Sequence, residues 1–293
     1  MKVIKDFEDY EILDMSNGQK LERWNEVILS RPDPQIIWNK KTRPTLWDSV
    51  DAKYQRSQTG GGEWRIFNKN MPTSWNVKWK DLTFNLKLMG FKHTGLFPEQ
   101  AYNWNIIRKK IKNENREVKV LNLFAYTGGA SVAALSAGAS VVHVDSSRGM
   151  VDWAKENVRA SGLETRPIRF IVDDVVKFVE REIRRGNKYD IIIMDPPSFG
   201  RGSNKEIWNI ETDLYNLVNL CTNILSDDPI MFLINSYTTG LSMNVLSNLL
   251  KITIKSIYGG YISSDEVGIP MKDSDLVLPC GIFARWEKEH YED

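Results

Sequence analysis

From Val118 onward the chain alternates short apolar runs with amphipathic stretches. Val118 to Phe124, Ser140 to Val144, Ile168 to Val172 and Tyr189 to Met194 read as strands, while Gly129 to Ala137, Gly149 to Ser161 and Val175 to Arg185 read as helices. That rhythm predicts βαβ units, and hence a mostly parallel sheet with helices on both faces. It continues through a helix near Asp213 to Leu225, a strand from Ile230 to Asn235 and a helix near Ser242 to Lys255. The end, Gly259 to Ser263 and Leu276 to Trp286, reads as two strands with no helix between them, which predicts an antiparallel edge.

The first part of the chain is different. Tyr10 to Leu13 and Leu21 to Ile28 read as strands, and Arg31-Pro-Asp-Pro34 and Gly60-Gly-Gly62 as turns, so residues 1–90 are expected to form a small β-rich α+β domain and 91–293 the larger α/β domain. Trp24, Trp38, Trp47, Trp64, Trp75, Trp79 and Trp104 are interleaved with Lys40, Lys41, Arg43, Arg56, Arg65, Lys78 and Lys80. The rings either fill the core of a small domain or form a stacking surface for single-stranded nucleic acid, and both can hold for different rings. A helix is expected from Gln100 to about Asn113, with Arg108-Lys-Lys110 and Lys112 largely on its exposed side.

At 293 residues, 42% of them hydrophobic, the chain can bury an ample core, and its net charge of +1 neither demands nor excludes a polyanionic partner. No run is long and apolar enough to span a bilayer and the start lacks a signal core, so a cytoplasmic protein with no membrane partner is the expectation. Cys221 and Cys280 lie far apart, with no second thiol or histidine at ligand spacing, so neither a metal site nor a disulfide framework is expected.

Chemistry concentrates at the strand ends. The turn Tyr126-Thr-Gly-Gly129 lets a ligand approach the backbone and opens a helix whose free N–H groups suit an anionic group. It is not a dinucleotide Gly-x-Gly-x-x-Gly, because Tyr126 and Ser131 occupy glycine positions, so NAD is disfavoured. Asp145, ending the second strand, sits where a ribose diol is gripped by two accepted hydrogen bonds, or else caps the helix beginning near Ser146. Asp174, after the third strand, is placed to accept from an adenine amino group, with Asp173 as the candidate cap of the next helix. In Asp195-Pro-Pro-Ser-Phe199 two prolines forbid both ladder pairing and an immediate helix, holding the backbone rigid at the carboxyl end of the fourth strand. A fixed Asp195 carboxylate and a fixed Pro196 carbonyl can orient an amino group for in-line methyl transfer, a reaction that depends mainly on alignment and desolvation. Phe199 is placed to stack on a base.

Asn122-Leu-Phe124-Ala-Tyr126-Thr127-Gly128-Gly129, Asp145-Ser146, Asp173-Asp174-Val175 and Asp195-Pro-Pro-x-Phe199 together resemble class I S-adenosylmethionine-dependent methyltransferases. More narrowly, they are similar to the family containing the bacterial large-subunit ribosomal RNA cytosine-C5 methyltransferases. Gly90-Phe-Lys-His-Thr94-Gly-Leu-Phe97-Pro-Glu-Gln100 resembles that family's Lys-Thr-Gly-x-Phe-x-x-Gln element, which lies beside the cofactor. The similarity runs from about Gly90 to Trp286. It implies a Rossmann-like fold, S-adenosyl-L-methionine as cofactor and RNA, above all ribosomal RNA, as partner. It also implies cofactor contacts from Thr94, Phe97, Gln100, Phe124, Tyr126, Thr127, Gly128, Gly129, Asp145, Ser146, Asp173, Asp174 and Asp195, and acceptor positioning by Asp195, Pro196 and Phe199.

One departure bears on the acceptor. Carbon-5 of a pyrimidine becomes nucleophilic when a cysteine thiolate adds to carbon-6, and in that family the cysteine follows the fourth or fifth strand. Here those places read Asp195-Pro-Pro-Ser-Phe-Gly200 and Phe232-Leu-Ile-Asn-Ser-Tyr-Thr-Thr-Gly240, without cysteine. Cys221 falls among the apolar positions of a helix, and Cys280 lies in the last strand. Nitrogen or oxygen methylation is therefore favoured over cytosine C5. A small-molecule or protein acceptor, or a non-catalytic RNA-binding protein on the same fold, are the alternatives.

Overall fold

The computed structural model describes residues 1–57, 61–201 and 207–289, so Gly60 of the expected glycine turn lies outside it. The chain divides into two compact units, Met1–Ala101 with Gly268–Cys280, and Tyr102–Val267 with Gly281–Asp293. The division expected after residue 90 therefore falls eleven residues later, and a hairpin tip from the far end of the chain joins the first unit.

In the first unit, β1 (Lys2–Val3) precedes a five-stranded sheet of β2 (Tyr10–Ser16), β3 (Gln19–Trp24), β4 (Val27–Pro32), β5 (Ala52–Arg56) and β6 (Gly62–Ile66), followed by a two-stranded sheet of β7 (Ser74–Trp79) and β8 (Leu82–Lys87). The single strand expected over Leu21 to Ile28 is two strands, because Asn25 takes a left-handed φ of 56° and turns the chain between Trp24 and Val27. Trp24, Trp75 and Trp79 are buried here, whereas Trp38 and Trp47 are half-buried and donate their indole N–H to the Met15 carbonyl and the Asp14 carboxylate. The core role thus takes some of the rings and leaves others at the surface.

The second unit opens with α1 (Ala101–Lys112), and its sheet runs β16-β17-β15-β12-β9-β10-β11. In chain order these elements are β9 (Lys119–Leu123), α2 (Gly129–Ser136), β10 (Ser140–Asp145), α3 (Arg148–Ala160), β11 (Ile168–Val172), α4 (Val175–Arg185) and β12 (Ile191–Met194). The short hairpin β13 (Phe199–Arg201) and β14 (Ile207–Asn209) follows. Then come α5 (Ile210–Thr222), β15 (Met231–Ser236), α6 (Met243–Leu250), a π turn at Lys251–Lys255, α7 (Ser256–Tyr258), β16 (Tyr261–Pro270) and β17 (Val277–Glu287).

Strands β15, β12, β9, β10 and β11 are parallel, and β17 is antiparallel to β15, as the alternation implies. Strand β12, Ile191-Ile-Ile-Met194, is buried throughout, as expected of a central parallel strand covered on both faces. On one face Leu121, Val144, Ile192, Met194, Phe232 and Ile234 pack with Phe178 of α4 and Leu217 and Cys221 of α5. The β16–β17 hairpin is so long that its tip, Gly268–Cys280, belongs to the first unit, where the Gly268 carbonyl accepts from the Ile4 N–H at 3.3 Å. The basic face expected on α1 is only partly exposed. Arg108 and Lys110 are buried, and the Lys110 ammonium sits 2.8 Å from the Glu287 carboxylate of β17, a pairing partner that lies far along the sequence.

Candidate functional site

Strand register builds the site. Met194 pairs with Leu123, Leu123 with Val144, and Val144 with Ile171. The next residues, Asp195, Phe124, Asp145 and Val172, therefore line up across the carboxyl ends of four parallel strands, with Asp173 one step further on. Open α/β sheets bind ligands at this edge.

The turn after β9 is held against its own backbone preference. Phe124 and Tyr126 have φ of 53° and 52°, and Gly128 of 86°. Left-handed geometry at a non-glycine residue costs about 1 kcal/mol or more. Specific bonds offset that cost. The Ala125 N–H donates to the Val144 carbonyl at 3.0 Å and the Tyr126 N–H to Asp145 Oδ2 at 2.9 Å, while Asn157 Nδ2 of α3 donates to the Thr127 carbonyl at 2.8 Å. Below the turn Asn122 Nδ2 donates to the Ser131 hydroxyl, which leaves that hydroxyl to donate to His143 Nδ1, 3.0 Å away. Burial pushes the His143 imidazole down to about 3, so it is neutral and can accept that bond.

Both glycines are required by space. A Cβ on Gly128 would lie 3.0 Å from Ala154 Cβ, in addition to its strained φ, and one on Gly129 would lie 2.5 Å from the Trp104 ring. Trp104 is thus a core ring packed under the turn. Gly129→Ala should destabilise the protein by about 1–3 kcal/mol, read as a lower denaturant midpoint at unchanged slope. A midpoint equal to wild type would contradict this packing.

Asp145 is half-buried, and each of its oxygens accepts one backbone N–H: Tyr126 on Oδ2 and Ser147 on Oδ1, the latter at 2.8 Å. It is not the helix cap, which falls at Ser147. A carboxylate has about four lone-pair positions, so a lone pair on each oxygen remains for a ligand diol. Burial holds the Asp145 carboxyl above the usual aspartate range, against the two N–H bonds that favour ionisation. Ser146, beside it, is exposed.

After β11 the helix cap falls on Asp174 and not, as expected, on Asp173. Asp174 caps α4, accepting from the Lys177 N–H at 3.0 Å, while Asp173 accepts from the Asp174 N–H and pairs with Arg181. The physical reason is that Asp174, with φ −64° and ψ 132°, sits directly before the first helical residue, so only its side chain reaches back over the opening turn.

In Asp195-Pro-Pro197, Pro196 is buried and Pro197 exposed. The β13–β14 hairpin that follows has two faces. Phe199 points to the outer one and is 55% exposed, whereas Trp208 occupies the other, its ring centroid 5.0 Å from that of Phe124. Trp208 is therefore the ring of this hairpin that packs beside the glycine turn. Sequence reasoning missed Trp208 because a polar stretch of sequence, Gly202 to Glu206, separates it from the recognisable motif. It also missed Asn157, although an amide on a helix face shared with Ala154 and Val158 was a usable signal.

Thr94, Phe97 and Gln100 belong to the first unit. Thr94 and Gln100 are buried, and the Phe97 ring lies 5.3 Å from the His93 ring. Gln100 ends the 3-10 turn Pro98–Gln100 that leads into α1.

A left-handed glycine turn opening α2, a carboxylate with lone pairs to spare at the end of β10, and a rigid Asp-Pro-Pro at the end of β12 define a class of protein. It holds a nucleoside-bearing, amino-acid-like cofactor at the carboxyl edge of an α/β sheet. Residues 50–235 match the model of the S-adenosylmethionine-dependent methyltransferase family, and the chain belongs to that family. The chain is similar in structure to an S-adenosylmethionine-dependent methyltransferase from Agrobacterium tumefaciens, with a TM-score of 0.93 and 35% identity, over 98% of this chain and 93% of that one. Proteins named ribosomal RNA large subunit methyltransferase K/L are similar as well. That of a Shewanella species is 31% identical over 64% of this chain and 25% of its own length, and that of Syntrophotalea carbinolica 29% identical over 64% and 26%. The chain thus spans about a quarter of the length of these curated relatives.

Proposed function

We propose that this protein transfers a methyl group from S-adenosylmethionine to a nitrogen or oxygen atom of RNA, with ribosomal RNA as the substrate class. The observation that carries the reading is the in-register row of glycine turn, Asp145 and Asp195-Pro-Pro. Gly129 and the next N–H groups of α2 suit the amino-acid carboxylate of the donor, since the first turn of a helix leaves its N–H groups without intrahelical partners. Asp145 suits the ribose diol, and Asp173 and Asp174 border the adenine side. When bound, the donor supplies a methyl group on a sulfonium, an electrophile that needs no further activation. The Asp195 carboxylate and Pro196 carbonyl accept hydrogen bonds from the acceptor and turn its lone pair into line, so that rate comes from orientation in a desolvated site.

RNA is supported by the names of the curated relatives and by aromatic–cation pairs at the surface of the first unit: Lys41 over Trp47 at 4.9 Å and Arg65 over Phe67 at 5.2 Å. Such pairs suit stacked bases and phosphates. We assign substrate binding to this unit, and a place beside the cofactor to Thr94, Phe97 and Gln100. A nitrogen or oxygen acceptor is supported by the state of the thiols. Cys221 is fully buried in the α5 core and Cys280 is half-buried in the first unit, and desolvation pushes both thiols well up, away from the thiolate that C5 chemistry needs. Calorimetry tests the cofactor: S-adenosylhomocysteine should bind and NADH should not, and the reverse would overturn the reading.

A further inference from the structure

Trp208 touches both turns of the site. Its indole N–H donates to the Pro197 carbonyl at 2.7 Å, and its ring packs on Phe124, the left-handed residue that starts the glycine turn. Its cross-strand partner is Gly200, and a Cβ there would lie 3.7 Å from Trp208 Cβ and 3.6 Å from the Pro197 ring, so the partner position is in close contact with both groups. The rest of the Asp-Pro-Pro turn is also committed: the Ser198 carbonyl accepts from the Ile210 N–H at 3.1 Å, and the Ser198 hydroxyl bonds that of Thr238 at 2.7 Å.

We propose that Trp208 is a positioning residue that couples the donor turn to the acceptor turn, an inference that rests on the methyltransferase reading above. By donating to the Pro197 carbonyl it fixes the orientation of the peptide that follows Pro196, so that an incoming amino or hydroxyl group meets the Asp195 carboxylate and the Pro196 carbonyl in one geometry. By packing at a tilt against Phe124 it ties the position of that pair to the turn that carries the donor. An acceptor turn free to shift would populate misaligned complexes, and misplacement of about 1 Å can cost on the order of a hundredfold in rate.

Three variants separate the parts. Trp208→Phe keeps a ring for Phe124 and loses the N–H, Trp208→His offers a ring N–H again, and Trp208→Ala removes both. Each is assayed for S-adenosylhomocysteine affinity by calorimetry, for unfolding midpoint, and for kcat and KM with tritiated S-adenosylmethionine and total RNA from a strain lacking the gene. For Trp208→Phe we expect kcat to fall about tenfold, with donor affinity and acceptor KM within about twofold of wild type and an unchanged midpoint. Trp208→His should recover part of kcat, and Trp208→Ala should also weaken donor binding. Wild-type kcat in Trp208→Phe would overturn the proposal. So would a loss of kcat matched by equal losses of midpoint and donor affinity, which is what a merely structural ring would give. If the wild-type protein itself binds no S-adenosylhomocysteine or methylates no RNA, the underlying reading fails, and the proposal falls with it.

Discussion

Replacing Asp195 with alanine is expected to cut methyl transfer by about a hundredfold or more while leaving affinity for S-adenosylhomocysteine within about twofold of wild type. The carboxylate follows β12 directly and is braced by Pro196 and Pro197, so its position is set by strand register and by rigid rings rather than by the ligand. On the proposed role, which is to orient the acceptor, the loss should appear in kcat. Single-turnover transfer with calorimetry on the same preparation separates the two quantities. An active Asp195→Ala protein would refute the role, and a protein that loses donor affinity in proportion would move Asp195 to the cofactor side.

The second large effect is expected at Asp145. Two charge-assisted hydrogen bonds to a diol are worth on the order of 3 kcal/mol, so Asp145→Ala should weaken S-adenosylhomocysteine binding by roughly a hundredfold. The same carboxylate holds the Tyr126 and Ser147 N–H groups, so part of this loss is a loosened glycine turn, and Asp145→Asn, which keeps an acceptor oxygen, should lose less.

The raised pKa gives the effect a pH signature. The ionised form makes the strongest bonds to the diol, so donor affinity should decline as pH falls through a value above the ordinary aspartate range. Stability responds in the opposite direction. A carboxyl whose folded pKa lies above its unfolded one binds more protons in the native state, so its ionisation costs stability at neutral pH and the cost is relieved as the solution is acidified through that folded value. Calorimetric titrations from neutral to mildly acidic pH check this. A profile identical in wild type and Asp145→Asn would exclude Asp145 as the titrating group.

The α/β portion was legible because its signals are local. Apolar runs such as Ile191 to Met194 have no other reading once helical stretches alternate with them, and helix starts coincide with Gly128 and Ser242, whereas α5 starts three residues before the expected Asp213. What escaped depends on distant partners. Lys110 looks like a surface lysine until Glu287 reaches it across the sheet edge, and Trp104 looks like one more tryptophan until Gly129 leaves room for its ring. The division of labour between Asp173 and Asp174 turned on backbone angles at one residue. Within the site, the motif residues on strand ends were found because register aligns them, whereas Trp208 and Asn157 act on those motifs from a hairpin and a helix with no motif of their own.

The central claim is methyl transfer to a nitrogen or oxygen of RNA. Its most direct test is to incubate the purified protein with tritiated S-adenosylmethionine and total RNA from a strain lacking the gene, then digest the RNA and separate the labelled nucleosides. The expected result is label in a nitrogen- or oxygen-methylated nucleoside of ribosomal RNA, absent with Asp195→Ala. Label in 5-methylcytidine, or label confined to protein or small molecules when whole extract replaces the RNA, would contradict it.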